Sequence, residues 1–444
     1  MEPAPAPGED GHPPERHDPY AVLRYRDFRL VVAGRFVATL GEMMISVAIG
    51  WELYQRTNSA LALGFVGLTL VIPVLLFSLP AGHLADHYNR QRIVIAAQML
   101  LLFASLSLAV LSWTQGALPL VYGALFLIGV GSAFSSPAAS TLIPQTVPPE
   151  TFEKATTWSS SSWQLAAVIG PALGGAVIAL TGGATLVYLL DACGSVIYIV
   201  LILLIRARPA TPPAKRETTA QSLAEGLRFL RGSQVLLAAI TLDMFGVLLG
   251  GATTLLPIFA KDILHVGPVG LGWLRAAPSV GAALMALTLT HTHPFKRAGR
   301  TLLWAVIVFG LATIVFGLSQ NFYLSLVALL VLGAADNISV VIRHSLLLLR
   351  TPDAMRGRIA AVNGIFISAS NELGGFESGL VAWLFTPVIS VVFGGIGTIV
   401  VVLAVAYLAP EMRRLGALAP SPEAEQSLVR EAEAEATEQA PVVD

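Results

Sequence analysis

Residues 82–92 read GHLADHYNRQR, and the runs on either side, 61–80 and 93–113, are almost wholly apolar. Each run has the roughly 20 residues a helix needs to cross the ~30 Å hydrocarbon core of a bilayer. Between them the chain is short and polar. Gly82 permits a tight turn, Asp86 offers an acceptor, and Arg90 and Arg92 belong at a charged membrane surface. Span, polar turn, span is the unit from which this chain is built.

The unit recurs in both directions. A window of about 20 residues predicts twelve spans, at 30–54, 61–80, 93–113, 118–140, 155–180, 184–205, 235–260, 268–290, 301–319, 321–342, 357–383 and 386–408. Composition agrees: of 444 residues, 55% are hydrophobic and 12% charged, against about 25% charged in soluble domains. The mean hydropathy is +0.72. So little polar surface cannot wet the exterior of a soluble protein of this size, and lipid must be the solvent for most of the chain. The fold expected is an all-α membrane protein of about twelve transmembrane helices.

The rest divides into an N-terminal tail (1–29), a polar linker (206–233) and an acidic tail (409–444) that reads as disordered from about residue 416. Within the linker, 221–231 suits a short amphipathic helix on the membrane surface. Residues 1–19 hold Pro, acidic and His residues and no apolar core after an early basic cluster, so they do not read as a secretory signal. The net charge of −1 argues against a nucleic-acid partner. Cys193 stands alone, and no Cys/His cluster suggests a metal. No nucleotide-binding loop is evident, so neither a cofactor nor direct use of ATP is expected.

Basic residues set the orientation. Arg16, Arg24, Arg26, Arg29, Arg90, Arg92, Lys154, the linker basics, Lys296, Arg297, Arg300, Arg350, Arg356, Arg358, Arg413, Arg414 and Arg430 fall on the side of the termini, and essentially Arg56 and Lys261 on the other. Termini and linker are therefore expected in the cytoplasm, and the chain in the inner membrane. The spans also repeat at an offset of 204 residues: Pro148 matches Pro352, Lys154 Arg358, Gly170 Gly374, Gly175 Gly379, and Gly129 Gly333. Two six-helix bundles, 30–205 and 234–408, joined by a cytoplasmic linker are what such a duplication builds.

The segment Gly82–Arg92 resembles the loop 2–3 signature of the major facilitator superfamily. That resemblance implies a gating role for Gly82, Asp86, Arg90 and Arg92, with Asp86 approaching the first turn of span 11 near Asp353 to Arg358. A plain positive-inside loop is the alternative. The matching loop, HPFKRAGR, keeps only basics and a glycine, which implies a weaker gate. In span 5, IGPALGG resembles a motif of drug:proton antiporters at Gly170, Pro171, Gly174 and Gly175, with Ala166 in place of an upstream glycine. Generic small-residue packing would produce the same residues. The stretch from Asp336 to Gly379, with TPDAMRGRIAAVNGIFISASNELGGFESG at its heart, resembles the enterobactin-exporter branch of the superfamily, near the macrolide-efflux permeases.

Charges within spans are costly and are functional candidates by default. Glu42 (span 1), Asp243 (span 7), Asp336 (span 10), and Glu372 and Glu377 (span 11) are the cavity or proton-coupling candidates. A carboxylate in a low-dielectric cavity can exchange protons near neutral pH. Arg35, Arg275 and Arg343 are possible charge partners, although Arg35 and Arg343 also suit snorkelling. Asp191 is the one charge in span 6, and spans 3, 9 and 12 have none. The superfamily resemblance implies that spans 1, 4, 7 and 10 line the cavity while 3, 6, 9 and 12 face lipid. Phe36, Trp51, Phe134, Trp158, Trp163, Phe245 and Phe366 could stack on an aromatic substrate. Phe126 stands where many proton antiporters of the superfamily carry an arginine, so any proton coupling needs another arrangement.

An intramembrane enzyme would need facing catalytic groups; His265, His291 and His293 fall near loops and His344 near a span end. The resemblance implies instead a monomeric secondary transporter. It would export a siderophore or similar amphipathic small molecule by proton antiport, with a multidrug or macrolide efflux pump as the alternative and an importer possible on the same scaffold.

Overall fold

The computed structural model describes residues 20–206, 219–291 and 295–417, and gives the backbone alone for Leu79, Asp86, His87, 219–224, Asp353, Ala354 and Ala361. The residues expected to be disordered after 417 lie outside this range. Every described element is helical, as lipid demands: with no water to satisfy free amides, each span must close its hydrogen bonds within itself.

Spans 1 to 6 are Arg26–Thr57, Ala60–His87, Arg90–Trp113, Leu118–Leu142, Phe152–Thr181 and Thr185–Leu203; spans 8 to 12 are Gly267–Thr290, Ala298–Leu318, Phe322–Arg350, Asp353–Leu384 and Pro387–Leu408. Side-chain caps fix many of their starts. Ser59 accepts from Ala62 N–H (3.4 Å), Asn89 from Arg92 N–H (3.2 Å), Asn321 from Tyr323 N–H (2.9 Å) and Thr386 from Ile389 N–H (3.1 Å). Eleven spans are long and apolar enough to cross a membrane among the described residues. The twelfth expected crossing, 357–383, forms the 32-residue helix Asp353–Leu384. Asn363, Asn371, Glu372 and Glu377 make it too polar to be counted with the rest. The linker helix is longer than expected, Thr219–Gly232, and lies on the start of span 11.

Two expectations change. The turn between spans 2 and 3 is not at Gly82: span 2 continues to His87, and Tyr88 and Asn89 alone make the reversal. Gly82 sits in helix with open space beside it. Six residues of the motif are the last turns of a helix, because the cap at Asn89 supplies the turn. Span 7 is not one continuous helix. It runs over Gln234–Ile263 but is regular α-helix only to Leu249, then passes through a 3₁₀ turn (Ala252–Leu255), a short α turn (Leu256–Ile258) and a π turn (Phe259–Ile263). Gly250 and Gly251 loosen the backbone and Pro257 removes a donor.

The repeat is visible in the packing. Gly170 lies against Leu40 and Met43 of span 1, and Gly374 against Val247 and Leu248 of span 7, with 43 and 247 again 204 apart. Gly129 packs on Pro73 of span 2 and Gly333 on Pro278 of span 8. The two sets of six helices meet along spans 2 and 11 and along spans 5 and 8. A Cβ on Gly379 would lie 2.7 Å from Gly64 N, and one on Gly175 3.0 Å from Gly272 Cα. Small residues of this kind let lipid-solvated helices approach closely enough for dispersion to hold them.

Gly379→Leu should therefore destabilise the protein by about 1–3 kcal/mol through overpacking, whereas Gly123→Leu, with nothing within 4 Å, should be neutral. Thermal melting of the purified variants checks this; equal losses would deny the crossing its role.

Candidate functional site

A chamber of about 540 Å³ opens among spans 1, 2, 3, 4, 5, 6 and 11. Glu42 reaches it from the middle of span 1. The side chain is solvent-exposed despite its depth, because it faces this chamber rather than lipid. Asp191 of span 6 stands beside it: Gly41 lets the two helices approach until a Cβ would lie 3.0 Å from Asp191 Cα. Asp191 accepts a hydrogen bond from Ser105 Oγ of span 3 at 2.6 Å. One helical turn pair earlier on span 3, Gln98 is 2% exposed and donates to Ser135 Oγ at 3.5 Å, while its Oε1 has no partner. Arg35, two turns before Glu42, is near enough for its charge to act on Glu42 and Tyr198. Trp163 supplies an aromatic wall, and Asn371 and Glu372 close the chamber from span 11.

Glu372 also lines a second chamber of about 200 Å³, with Ser46, Thr254 and Arg275. Arg275 donates to the Thr253 carbonyl at 3.1 Å and faces Glu372 electrostatically. Glu377 lines neither chamber; its carboxylate lies 3.5 Å from Ser378 Oγ. Asp243 and Asp336 line a separate narrow cleft among spans 7, 9 and 10. Arg343 is buried, ion-paired with Asp243, and donates from Nε to Ser339 Oγ at 3.1 Å. Snorkelling does not describe it: the guanidinium is satisfied inside the protein.

The structure thus brings Glu42 and Glu372 to one chamber, sets Arg275 and Glu372 on the wall of a second, pairs Arg343 with Asp243, and leaves Glu377 apart. Spans 3 and 6, expected to face lipid, do so only on one side. Met99, Phe103 and Leu106 are exposed on span 3, while Gln98 and Ser105 turn inward. These two polar residues, seven apart in an apolar span, are a signal of an inner face that the reading of span 3 as lipid-facing missed. Asp191 was visible as a lone charge in span 6, but its proximity to Glu42 depends on helix rotation.

The other motifs take structural positions. Gly170 and Gly174 press span 5 on span 1, and Gly175 with Pro171 presses it on Gly272 of span 8. Arg90 donates to the Ala85 carbonyl (3.2 Å) and the Thr141 carbonyl (3.3 Å), tying the ends of spans 2 and 4, where a cation complements the helix dipoles. Arg92 lies in the first turn of span 3, its N–H held by Asn89. The side chain of Asp86 lies outside the described residues, and so does its expected pairing near Asp353. At the end of the bundle opposite the termini, Tyr54 Oη donates to Asp262 and Lys261 Nζ to Asn58 Oδ1 at 2.6 Å, linking the two sets of six helices.

Residues 17–443 match the family described as a transmembrane secretion effector. The enterobactin exporter EntS of Citrobacter koseri is 29% identical over 406 residues, covering 89% of this chain and 95% of that protein. EntS of Escherichia coli O1:K1 is 28% identical over 397 residues, covering 87% and 92%. Among solved structures, a POT family transporter in complex with 5-aminolevulinic acid superposes with a TM-score of 0.70 at 14% identity, covering 92% of this chain and 98% of its own. A bacterial homologue of the human lysosomal transporter Spinster, inward-facing and unoccupied, gives 0.68 at 15% identity, covering 90% and 99%. The chain belongs to the transmembrane secretion effector family of the major facilitator superfamily: it is a multi-pass membrane transporter and not an enzyme.

The Asp243–Arg343 pair yields a prediction. Removing one partner of a buried ion pair strands the other, so Asp243→Asn or Arg343→Gln alone should cost about 3–5 kcal/mol. The double variant should recover much of that loss, and a double-mutant cycle on melting midpoints in detergent reads the coupling. Additive single losses would mean that the two charges do not depend on each other.

Proposed function

We propose that this transporter is a proton-driven exporter that carries a siderophore or similar amphipathic small molecule out across the inner membrane by alternating access. The observation that supports this most is Glu42, a mid-membrane carboxylate exposed to a central chamber beside Asp191. Both carboxylates can carry a proton in exchange for substrate, which supplies a coupling arrangement that does not need the arginine replaced by Phe126. Similarity to the EntS proteins over 95% and 92% of their lengths supports the direction and the substrate class. The basic residues on the face of the termini support a cytoplasmic placement of that face. In this reading Asp86, Arg90 and Arg92 steady one end of the gate, and Asn58, Tyr54, Lys261 and Asp262 the other. Glu372 borders both chambers and shares the smaller one with Arg275.

One observation favours a second reading. The described residues lining the larger chamber include Glu42, Asp191 and Glu372 and no lysine, arginine or histidine. An anionic, partly aromatic chamber suits a lipophilic cation of the kind that multidrug and macrolide pumps remove. Retention of a catecholate siderophore and of cationic drugs in a deletion strain separates the two: the first reading expects siderophore to accumulate inside, the second the drugs.

Glu42→Gln should abolish export driven by a pH gradient in inverted vesicles while substrate binding and the melting midpoint stay near wild type. Gradient-dependent export at the wild-type rate would refute the coupling role.

A further inference from the structure

Away from both chambers, a groove of about 400 Å³ lies between the ends of spans 9 and 12 on the face that carries the termini. The chain builds it after span 12 ends at Leu408. The short helix Pro410–Arg414 turns back across the start of span 9, where Ala298 N–H donates to the Gly416 carbonyl at 3.0 Å. Gly299 has no side chain, so this returning segment can press on it: a Cβ there would lie 2.9 Å from Leu415 Cβ. Met412 and Ala298 are fully buried by the contact. The returning turn is therefore a fixed part of the fold.

Its position sets Arg413 and Arg414 beside Arg300 of span 9, and all three line the groove. All are exposed, and among the described residues no ion pair or hydrogen bond of theirs to a protein group is found. Glu411, the acidic member of the same turn, does not line the groove. Beside the arginines the groove is lined by apolar side chains: Trp304 is 65% exposed, Leu403 59%, and Ile307 joins them. Leu311 and Val400 continue these exposed faces along spans 9 and 12.

We propose that this groove binds an anionic phospholipid, its phosphate held by Arg300, Arg413 and Arg414 and an acyl chain laid over Trp304 and Leu403. Guanidinium forks match phosphate oxygens, and basic pockets between membrane helices recognise phosphate headgroups. Three cations without a partner among the described residues, bordering an exposed apolar floor, are complemented by a ligand that is anionic at one end and apolar at the other. A free anion would answer the arginines and leave Trp304 uncovered. Trp304 lies six residues past the start of span 9, and tryptophan is favoured near membrane interfaces.

The test uses the purified full-length transporter in detergent with phosphatidylglycerol, phosphatidylcholine or inorganic phosphate, read by native mass spectrometry and thermal melting. Phosphatidylglycerol should be retained and should raise the melting midpoint, and phosphatidylcholine should do neither. Arg300→Gln/Arg413→Gln/Arg414→Gln should retain less phosphatidylglycerol by on the order of tenfold, whereas Arg29→Gln/Arg350→Gln, which removes charge elsewhere on the same face, should retain it fully. Should the triple variant fail to fold, Arg413→Gln/Arg414→Gln and Trp304→Ala carry the same expectation. Equal retention by wild type and the groove variants overturns the proposal. So does equal retention of phosphatidylcholine, or stabilisation by inorganic phosphate alone to the same extent, which would mark a site for soluble anions.

Discussion

Backbone meeting backbone at glycine is the contact on which this transporter depends. Inside a bilayer, exchanging helix–lipid for helix–helix contact releases no hydrophobic energy, so association needs close dispersion contact. Gly64 with Gly379 and Gly175 with Gly272 provide it at the two crossings that join the bundles. The same contacts aim the charged side chains. Gly67, one turn beyond Gly64, rests on the backbone of Glu372, 3.3 Å from its carbonyl carbon to a notional Cβ, and so fixes where that carboxylate points. Gly170 and Gly174 seat span 1 at Met43 and Met44, which determines the facing of Glu42. A motif that resembles an antiporter signature therefore acts through geometry: it places the carboxylate without touching it.

The two bundles share a scaffold and differ in how they treat charge. In the second, Asp243 and Arg343 satisfy each other in a narrow cleft, with Ser339 completing the set. In the first, Glu42 faces open volume, and Asp191 is held by the neutral hydroxyl of Ser105. Burying an ion pair costs desolvation that mutual attraction must offset, which favours a fixed structural element. A carboxylate facing a chamber keeps access to water, protons and ligands. The two halves share their helix crossings, while their charges differ: Asp243 and Arg343 are paired in a cleft of one, and Glu42 faces a chamber in the other.

The helices and their repeat were legible because the bilayer leaves few solutions: about twenty apolar residues must be one helix, and the 204-residue offset recurs in contacts as in letters. Charges such as Glu42 and Arg343 were legible as candidates because a charge in a span is costly wherever it points. Their partners were not. Whether Asp191 meets Glu42, or Gln98 and Ser105 leave the lipid face of span 3, depends on helix rotation set by contacts remote in sequence. Local readings failed where a stronger local signal lay nearby. Gly82 looked like the turn, yet Asn89 could cap the next helix and moved the reversal six residues on. Span 7 looked continuous by hydropathy, which is blind to the amide missing at Pro257 and to the slack of Gly250 and Gly251.

Glu372 borders both chambers, and one carboxylate cannot be neutralised twice. Whatever settles on it from the larger side, proton or cationic group, removes the negative charge that an occupant of the smaller side, or Arg275, would use. The two cavities are thus competing claimants to a single electrostatic vacancy. Under the proposed function, a group that neutralised Glu372 from the larger chamber would weaken the hold of the smaller one on a cation, with no movement of the helices.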